Sequence, residues 1–125
     1  MMAKIAALTA FHLVMLATTG AHAQTLRCDI SSKHVCEASP GCQSAKLAVF
    51  NRIDLQMRTF SRCDSKGCDK YDAVFSASGA FLNIAVPEKG LMAKLDMTEG
   101  RFSEVVTLAG QVYVSFGSCT VEKAQ

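Results

Sequence analysis

The fold is decided by the stretch Arg101-Phe-Ser-Glu-Val-Val-Thr-Leu-Ala-Gly-Gln-Val-Tyr-Val-Ser-Phe116. Apolar and polar residues alternate on both sides of Ala109-Gly110, and a glycine-bearing pair between two alternating runs is typical of a β-hairpin. Because successive side chains of a strand point to opposite faces, the second run places Val112 and Val114 on one face and Tyr113 on the other. We interpret Tyr113 as a surface contact residue.

The same alternation continues along most of the remaining chain. Short runs recur about every 8 to 12 residues, separated by glycine-bearing turns, which indicates an antiparallel meander. The predicted strands are Thr25–Ile30, Val49–Leu55, Arg58–Cys63, Tyr71–Ala77, Ala80–Val86, Leu91–Leu95, Arg101–Leu108 and Gln111–Phe116. The predicted fold class is therefore all-β, an up-and-down meander of about seven or eight strands. A small barrel and a two-layer sandwich both hide the apolar faces, and the short connections favour the barrel.

The first 23 residues are predicted to be a cleaved signal peptide. Lys4 precedes an apolar run over residues 5–17, and Ala21-His-Ala23 is the small-residue pattern that a signal peptidase accepts. Residues 24–125 then form one all-β domain without a membrane span, and we expect a monomer. This export signal predicts a periplasmic or secreted protein.

All six cysteines follow the predicted signal peptide, which indicates a disulfide framework formed in an oxidising compartment. They are Cys28, Cys36, Cys42, Cys63, Cys68 and Cys119, with a cysteine-rich loop expected over residues 31–44. Fifteen pairings are possible, and loop length ranks 36–42, 63–68 and 28–119 first. In the chain-entropy model the long link stabilises by roughly 4–5 kcal/mol and each short one by about 2 kcal/mol.

Charge and residue content argue against several functions. The chain carries 13 basic and 11 acidic residues, and the basic residues are too scattered to follow a nucleic-acid backbone. His34 is the only histidine after residue 23, and no serine is placed for it to activate. The cysteine spacings do not fit a zinc site. We therefore predict no enzyme activity, no cofactor and no metal.

Glu104 shares a strand face with two apolar residues, Phe102 and Val106. Three interpretations remain open from the sequence. The carboxylate is a buried partner for an arginine, a ligand contact in the barrel lumen, or an exposed group beside a bulge.

A second pattern consists of Cys28, Ser78-Gly79-Ala80-Phe81 and Lys89-Gly90, in that order. It resembles the exported β-barrel inhibitors of C-type lysozyme, although the aromatic residue usually beside the Lys-Gly pair is absent. The resemblance implies that residues 78–81 and Lys89 enter an enzyme cleft.

Taken together, the sequence predicts a protein that acts by binding rather than by catalysis. The expected partner is an unknown protein or envelope component. The alternatives are an inhibitor of a lysozyme-like enzyme, a structural component of the bacterial envelope, and a carrier of a small ligand. The predicted partner contacts are Ser78, Gly79, Phe81, Lys89 and Tyr113.

Overall fold

The computed structural model describes residues 24–46 and 49–122, and the predicted signal peptide lies outside them. The described residues are all-β. The strands are β1 (Thr25–Cys36), β2 (Cys42–Ser44), β3 (Phe50–Asp54), β4 (Thr59–Asp64), β5 (Gly67–Asp72), β6 (Val74–Ser78), β7 (Phe81–Val86), β8 (Leu91–Asp96), β9 (Arg101–Leu108) and β10 (Gln111–Val121). A single 3₁₀ turn in this part of the chain, Pro87–Lys89, links β7 to β8. Within residues 24–46 and 49–122, no helix is long and apolar enough to cross a membrane.

The strands form one antiparallel sheet that curls into a nearly closed barrel. Its order is β5-β4-β3-β1-β10-β9-β8-β7-β6, with β2 paired to β1. The edge strands β5 and β6 are consecutive in the chain and are separated by Ala73 alone. The Ala73 N–H donates to the Arg58 carbonyl, 3.1 Å away, beside β4, whereas Val74 begins the ladder with β7. The barrel is thus closed at this corner by one extended segment, and the predicted barrel is confirmed.

Two sequence-based boundaries are wrong. The predicted strand Tyr71–Ala77 is divided at Ala73, because its two halves pair with different neighbours. The predicted loop over residues 31–44 is largely strand, since β1 continues to Cys36 against an equally extended β10. The end of β1 also pairs with β2. These differences, with β5 as a separate strand, account for ten strands where about seven or eight were expected.

A register shift in β1 decides which side chains enter the barrel. Ile30 lies opposite Gly117 and Ser32 lies opposite Phe116, so Ser31 is an extra residue in the pairing with β10. A Cβ added at Gly117 would lie 2.1 Å from the Asp29 carbonyl oxygen, so the close approach of the two strands requires glycine there. Because of the extra residue, the inner face of β1 continues from Ile30 to Lys33.

The core fills the barrel with side chains from both walls. Its largest fully buried apolar side chains include Phe60 and Ile53 on one wall and Ile84, Val86 and Leu95 on the other. Such a filled interior is expected of a small barrel. The middle of the barrel is therefore occupied by side chains.

Three disulfides cross between directly opposed strand residues. They join Cys28 to Cys119, Cys36 to Cys42 and Cys63 to Cys68, the pairs that loop length ranked first. The first connects β1 with β10, the first and last strands of the chain. Three disulfides are consistent with an oxidising compartment.

Candidate functional site

A polar cluster crosses the interior of the barrel. Glu104 on β9 is 2% exposed and accepts hydrogen bonds from the opposite wall. Asn51 Nδ2 donates to its Oε2 at 2.9 Å, and Arg62 Nη2 donates to its Oε1 at 2.6 Å. Of the three interpretations of Glu104, the buried partner of an arginine is confirmed. We call Asn51, Arg62, Glu104 and Lys33 the inner polar cluster.

Strand register explains how these residues meet. Asn51 on β3 lies opposite Arg62 on β4, so both side chains share one inner face. Glu104 lies opposite Ser115 of β10, and Ser115 lies opposite Lys33 of β1. The extra residue in β1 therefore brings the Lys33 ammonium to the same level of the barrel as Glu104.

Burial and neighbouring charges both act on Lys33 within the inner polar cluster. Burial, together with the nearby Arg62 guanidinium, lowers the pKa of Lys33, while Glu104 opposes that shift. Two buried polar atoms, Asn51 Oδ1 and Arg62 Nε, have no hydrogen-bond partner among the described residues. Unpaired polar atoms in a protein interior are costly, so the Oδ1 acceptor requires a donor and the Nε donor requires an acceptor, such as a water, an ion or a ligand.

A cleft of about 210 Å³ opens beside the inner polar cluster at one end of the barrel. We call it the barrel-end cleft. Its lining residues are Phe60, Arg62, Tyr71, Lys89, Leu91, Val106 and Leu108. Apolar side chains dominate this lining, and its charged groups among the described residues are two cations, Arg62 and Lys89. The Lys89 ammonium lies 5.1 Å from the centre of the Tyr71 ring, which is within cation–π distance.

The charge around the cleft is positive. Arg62 and Lys89 line it, Lys33 lies near Arg62, and the enclosed carboxylate of Glu104 is paired with Arg62. Asp69 on β5 lies opposite Arg62 in register, but it is exposed and makes no ion pair among the described residues. The arrangement suits an anion more than a cation or a metal ion.

The predicted partner contacts are divided between the two barrel ends. Ser78 and Gly79 are exposed in the turn before β7, and Phe81 at the start of that strand is 41% exposed. Lys89 follows the end of β7, about 20 Å away for a strand of this length. The structure thus places only Lys89 at the barrel-end cleft.

Tyr113 does not point to the surface, so its interpretation as a surface contact is wrong. It packs against the core, opposite Val106 of β9, and the Lys33 ammonium lies 5.3 Å from its ring centre. The alternation in β10 is as predicted, but its inner face carries Tyr113 and Ser115. Apolar content alone misidentified the buried face, because Phe116 on the outer face is 49% exposed.

His34 lies in β1 rather than in a loop, opposite Val114 of β10 and Ser44 of β2. It is half-buried on the outer face of the sheet. Among residues 24–46 and 49–122, no three histidine, cysteine, aspartate or glutamate side chains are grouped as a metal site.

Sequence reasoning missed Lys33, Asn51 and Arg62 as site residues. The only signal was Glu104 on an apolar strand face, which predicts a cation nearby without saying which one. No family model, curated protein or solved structure matches the chain.

Proposed function

We propose that the protein acts by binding, and that the barrel-end cleft takes a small ligand with an anionic head and an apolar body. The observation that carries this proposal is the pairing of two cations, Arg62 and Lys89, with an otherwise apolar lining in one cleft. Ligand sites are typically apolar concavities with a few polar groups that fix orientation.

The anionic head is assigned from the chemistry at the inner end of the cleft. Arg62 already uses Nη2 on Glu104, yet its buried Nε has no partner in the described chain. Because Arg62 lines the cleft, an anion there would lie beside the guanidinium and offset the repulsion between Arg62 and Lys33. A carboxylate suits the planar guanidinium.

The apolar body is assigned from the remaining walls. Phe60, Leu91 and Val106 belong to the core, and Leu108 at the rim is 48% exposed. The volume of about 210 Å³ is below the ~300–1,000 Å³ of sites for drug-sized ligands. A short-chain carboxylic acid is the ligand class of this size and polarity.

Titration calorimetry with hexanoate, against hexan-1-ol as the uncharged analogue, tests the proposal. We expect hexanoate to bind at least about tenfold more tightly, a difference of about 1.4 kcal/mol. Lys89→Gln should weaken hexanoate binding several-fold, because the exposed lysine contributes charge without supporting the core. The matched control is Lys66→Gln, which removes an exposed lysine from the β4–β5 turn.

Equal binding of hexanoate and hexan-1-ol, or no binding of either, contradicts the proposal. So does an equal loss in the Lys66→Gln control, because a general effect of net charge would then explain the result. Chemical shifts of Tyr71 and Leu91 should move on titration, which locates the ligand.

We further propose that the protein works in the periplasm or outside the cell. The predicted signal peptide and the three disulfides support this location. An inhibitor of a lysozyme-like enzyme, or a structural component of the envelope, remains the alternative function. Its support is the exposure of Ser78, Gly79 and Phe81 at the barrel end away from the cleft.

A further inference from the structure

The two edge strands of the sheet differ in how they are protected. Unpaired strand edges can pair with another chain, and proteins usually block them with charges, proline or bulges. The edge strand β5 carries Asp69, Lys70 and Asp72, whereas β6 reads Val-Phe-Ser-Ala-Ser and has no charge. Among residues 24–46 and 49–122, β6 is therefore the unprotected edge.

The backbone groups left free on β6 follow from its hairpin with β7. Ser78 and Phe81 close a two-residue turn whose first residue, Gly79, has a φ of 59°, so they form a hydrogen-bonded pair. Bonding direction alternates along a strand, so Ser76 and Val74 also face β7. The N–H and C=O groups of Phe75 and Ala77 then point to the open side of the sheet.

We propose that β6 pairs with β6 of a second copy of this chain, antiparallel, about a two-fold axis through Ser76. Phe75 then lies opposite Ala77 of the second copy, and each of the two equivalent pairs exchanges both N–H···O bonds. Ser76 faces its own symmetry mate as a pair without hydrogen bonds. The free groups of one copy thus match those of the other in a single register.

The absence of charge on β6 favours a second copy as the occupant. A two-fold interface places the same surface on both sides, so a charged edge would face its own charges. On β6 no like charges meet, and Val74, which is 63% exposed, gains a cross-strand neighbour in Ser78 of the second copy.

The interface is small, so the dimer is weak. Each copy contributes one strand of five residues, well below the ~800 Å² per partner of a standard interface. We expect a dimer that forms at high micromolar to millimolar concentration and dissociates on dilution. The monomer expected from the sequence is then the dilute form.

Sedimentation equilibrium of the purified protein over a range of concentrations tests the proposal. Ala77→Pro removes an N–H that faces the open edge and leaves the ladder with β7 intact. Ser76→Lys places two ammonium groups opposite each other at the two-fold axis. Both variants should lower the association constant at least about tenfold, with circular dichroism and thermal midpoint verifying the fold.

The control for added charge is Ser118→Lys. Ser118 is exposed on β10, a strand that is paired on both sides. The association constant of this variant should equal that of the unchanged protein. A positive test uses Ser76→Cys, which should cross-link between copies under mild oxidation far faster than Ser78→Cys. A monomer at every concentration overturns the proposal. So does a dimer that Ala77→Pro and Ser76→Lys leave as strong as before.

Discussion

Two carboxylates on neighbouring strands each bind a different arginine. Asp96 does so on the outer face of the sheet and Glu104 on the inner face. Asp96, at the end of β8, accepts hydrogen bonds from the Thr98 and Glu99 amides and from Arg101 Nη2. All of its partners lie within five residues of it. Glu104 on β9 is bound instead by Asn51 and Arg62, which are 53 and 42 residues away.

The difference shows what each ion pair requires. The Asp96 pair forms as soon as the β8–β9 hairpin turns, because the turn itself supplies the donors. The Glu104 pair exists only when the two walls of the barrel face each other. One pair therefore reports local turn formation, and the other reports barrel closure.

The largest expected effect is that of Glu104→Ala. The variant leaves the Arg62 guanidinium partly buried without its carboxylate, and breaking an enclosed ion pair in this way costs about 3–5 kcal/mol. Urea unfolding measures the loss, and Ser103→Ala, on the outer face next to Glu104, is the control. A loss no larger than that of the control would mean that the two ion pairs do not differ as described.

A smaller effect, of the opposite sign, is expected when the three hydrogen-bonded residues of the inner polar cluster are replaced. The triple variant Asn51→Leu, Arg62→Met, Glu104→Met keeps the volume and removes the enclosed ion pair, and it leaves Lys33 free of both the Arg62 repulsion and the Glu104 attraction. Such replacements are neutral or stabilising by about 1–4 kcal/mol. Urea unfolding should show no loss of stability, while calorimetry should show that hexanoate binding falls. If stability collapses instead, the inner polar cluster serves the fold rather than a ligand.

The smallest effect concerns Asp96 and its pH dependence. The hydrogen bond from Arg101, with those from the Glu99 and Thr98 amides, lowers the pKa of Asp96. A lowered folded-state pKa contributes stability above the unfolded value of about 4, and that stability is lost as pH falls through the folded pKa.

Thermal midpoints of the unchanged protein and of Asp96→Asn, measured from pH 7 to pH 2, test whether stability falls with pH in this direction. The amide oxygen still accepts the turn N–H groups, so the turn is kept while the titration is removed. The variant should be less stable near neutral pH, and the two curves should converge in acid. Parallel curves would show that Asp96 contributes nothing through its ionisation.

The contrast between a local contact and a contact across the barrel also separates what the sequence predicts from what it does not. Thr98-Glu-Gly100 was predictable as a turn, because its residue types act through neighbours in the chain. The strand alternation and the two short cysteine pairs also follow from local spacing, and they leave Cys28 and Cys119 to pair with each other. The partner of Glu104 was not predictable, since its identity depends on which strands face each other across the barrel.

The site was missed for a further physical reason. The extra residue at Ser31 reverses the inner and outer faces of the second half of β1, and nothing in Ser31-Ser-Lys marks it. Without that shift Lys33 would point outward. Tyr113 was misplaced because an outer face of a small barrel can carry as many apolar residues as the inner one.

The Cys28–Cys119 bond has a consequence for how the chain responds to cleavage. Joining the first and last strands makes the backbone between them a closed covalent ring. A single cut by a protease anywhere in that ring opens it without releasing a fragment, and both pieces stay tethered beside each other. A protein cut once in this ring would therefore have the mass of the uncut protein plus one water, and it would separate into two fragments only after the disulfide is reduced.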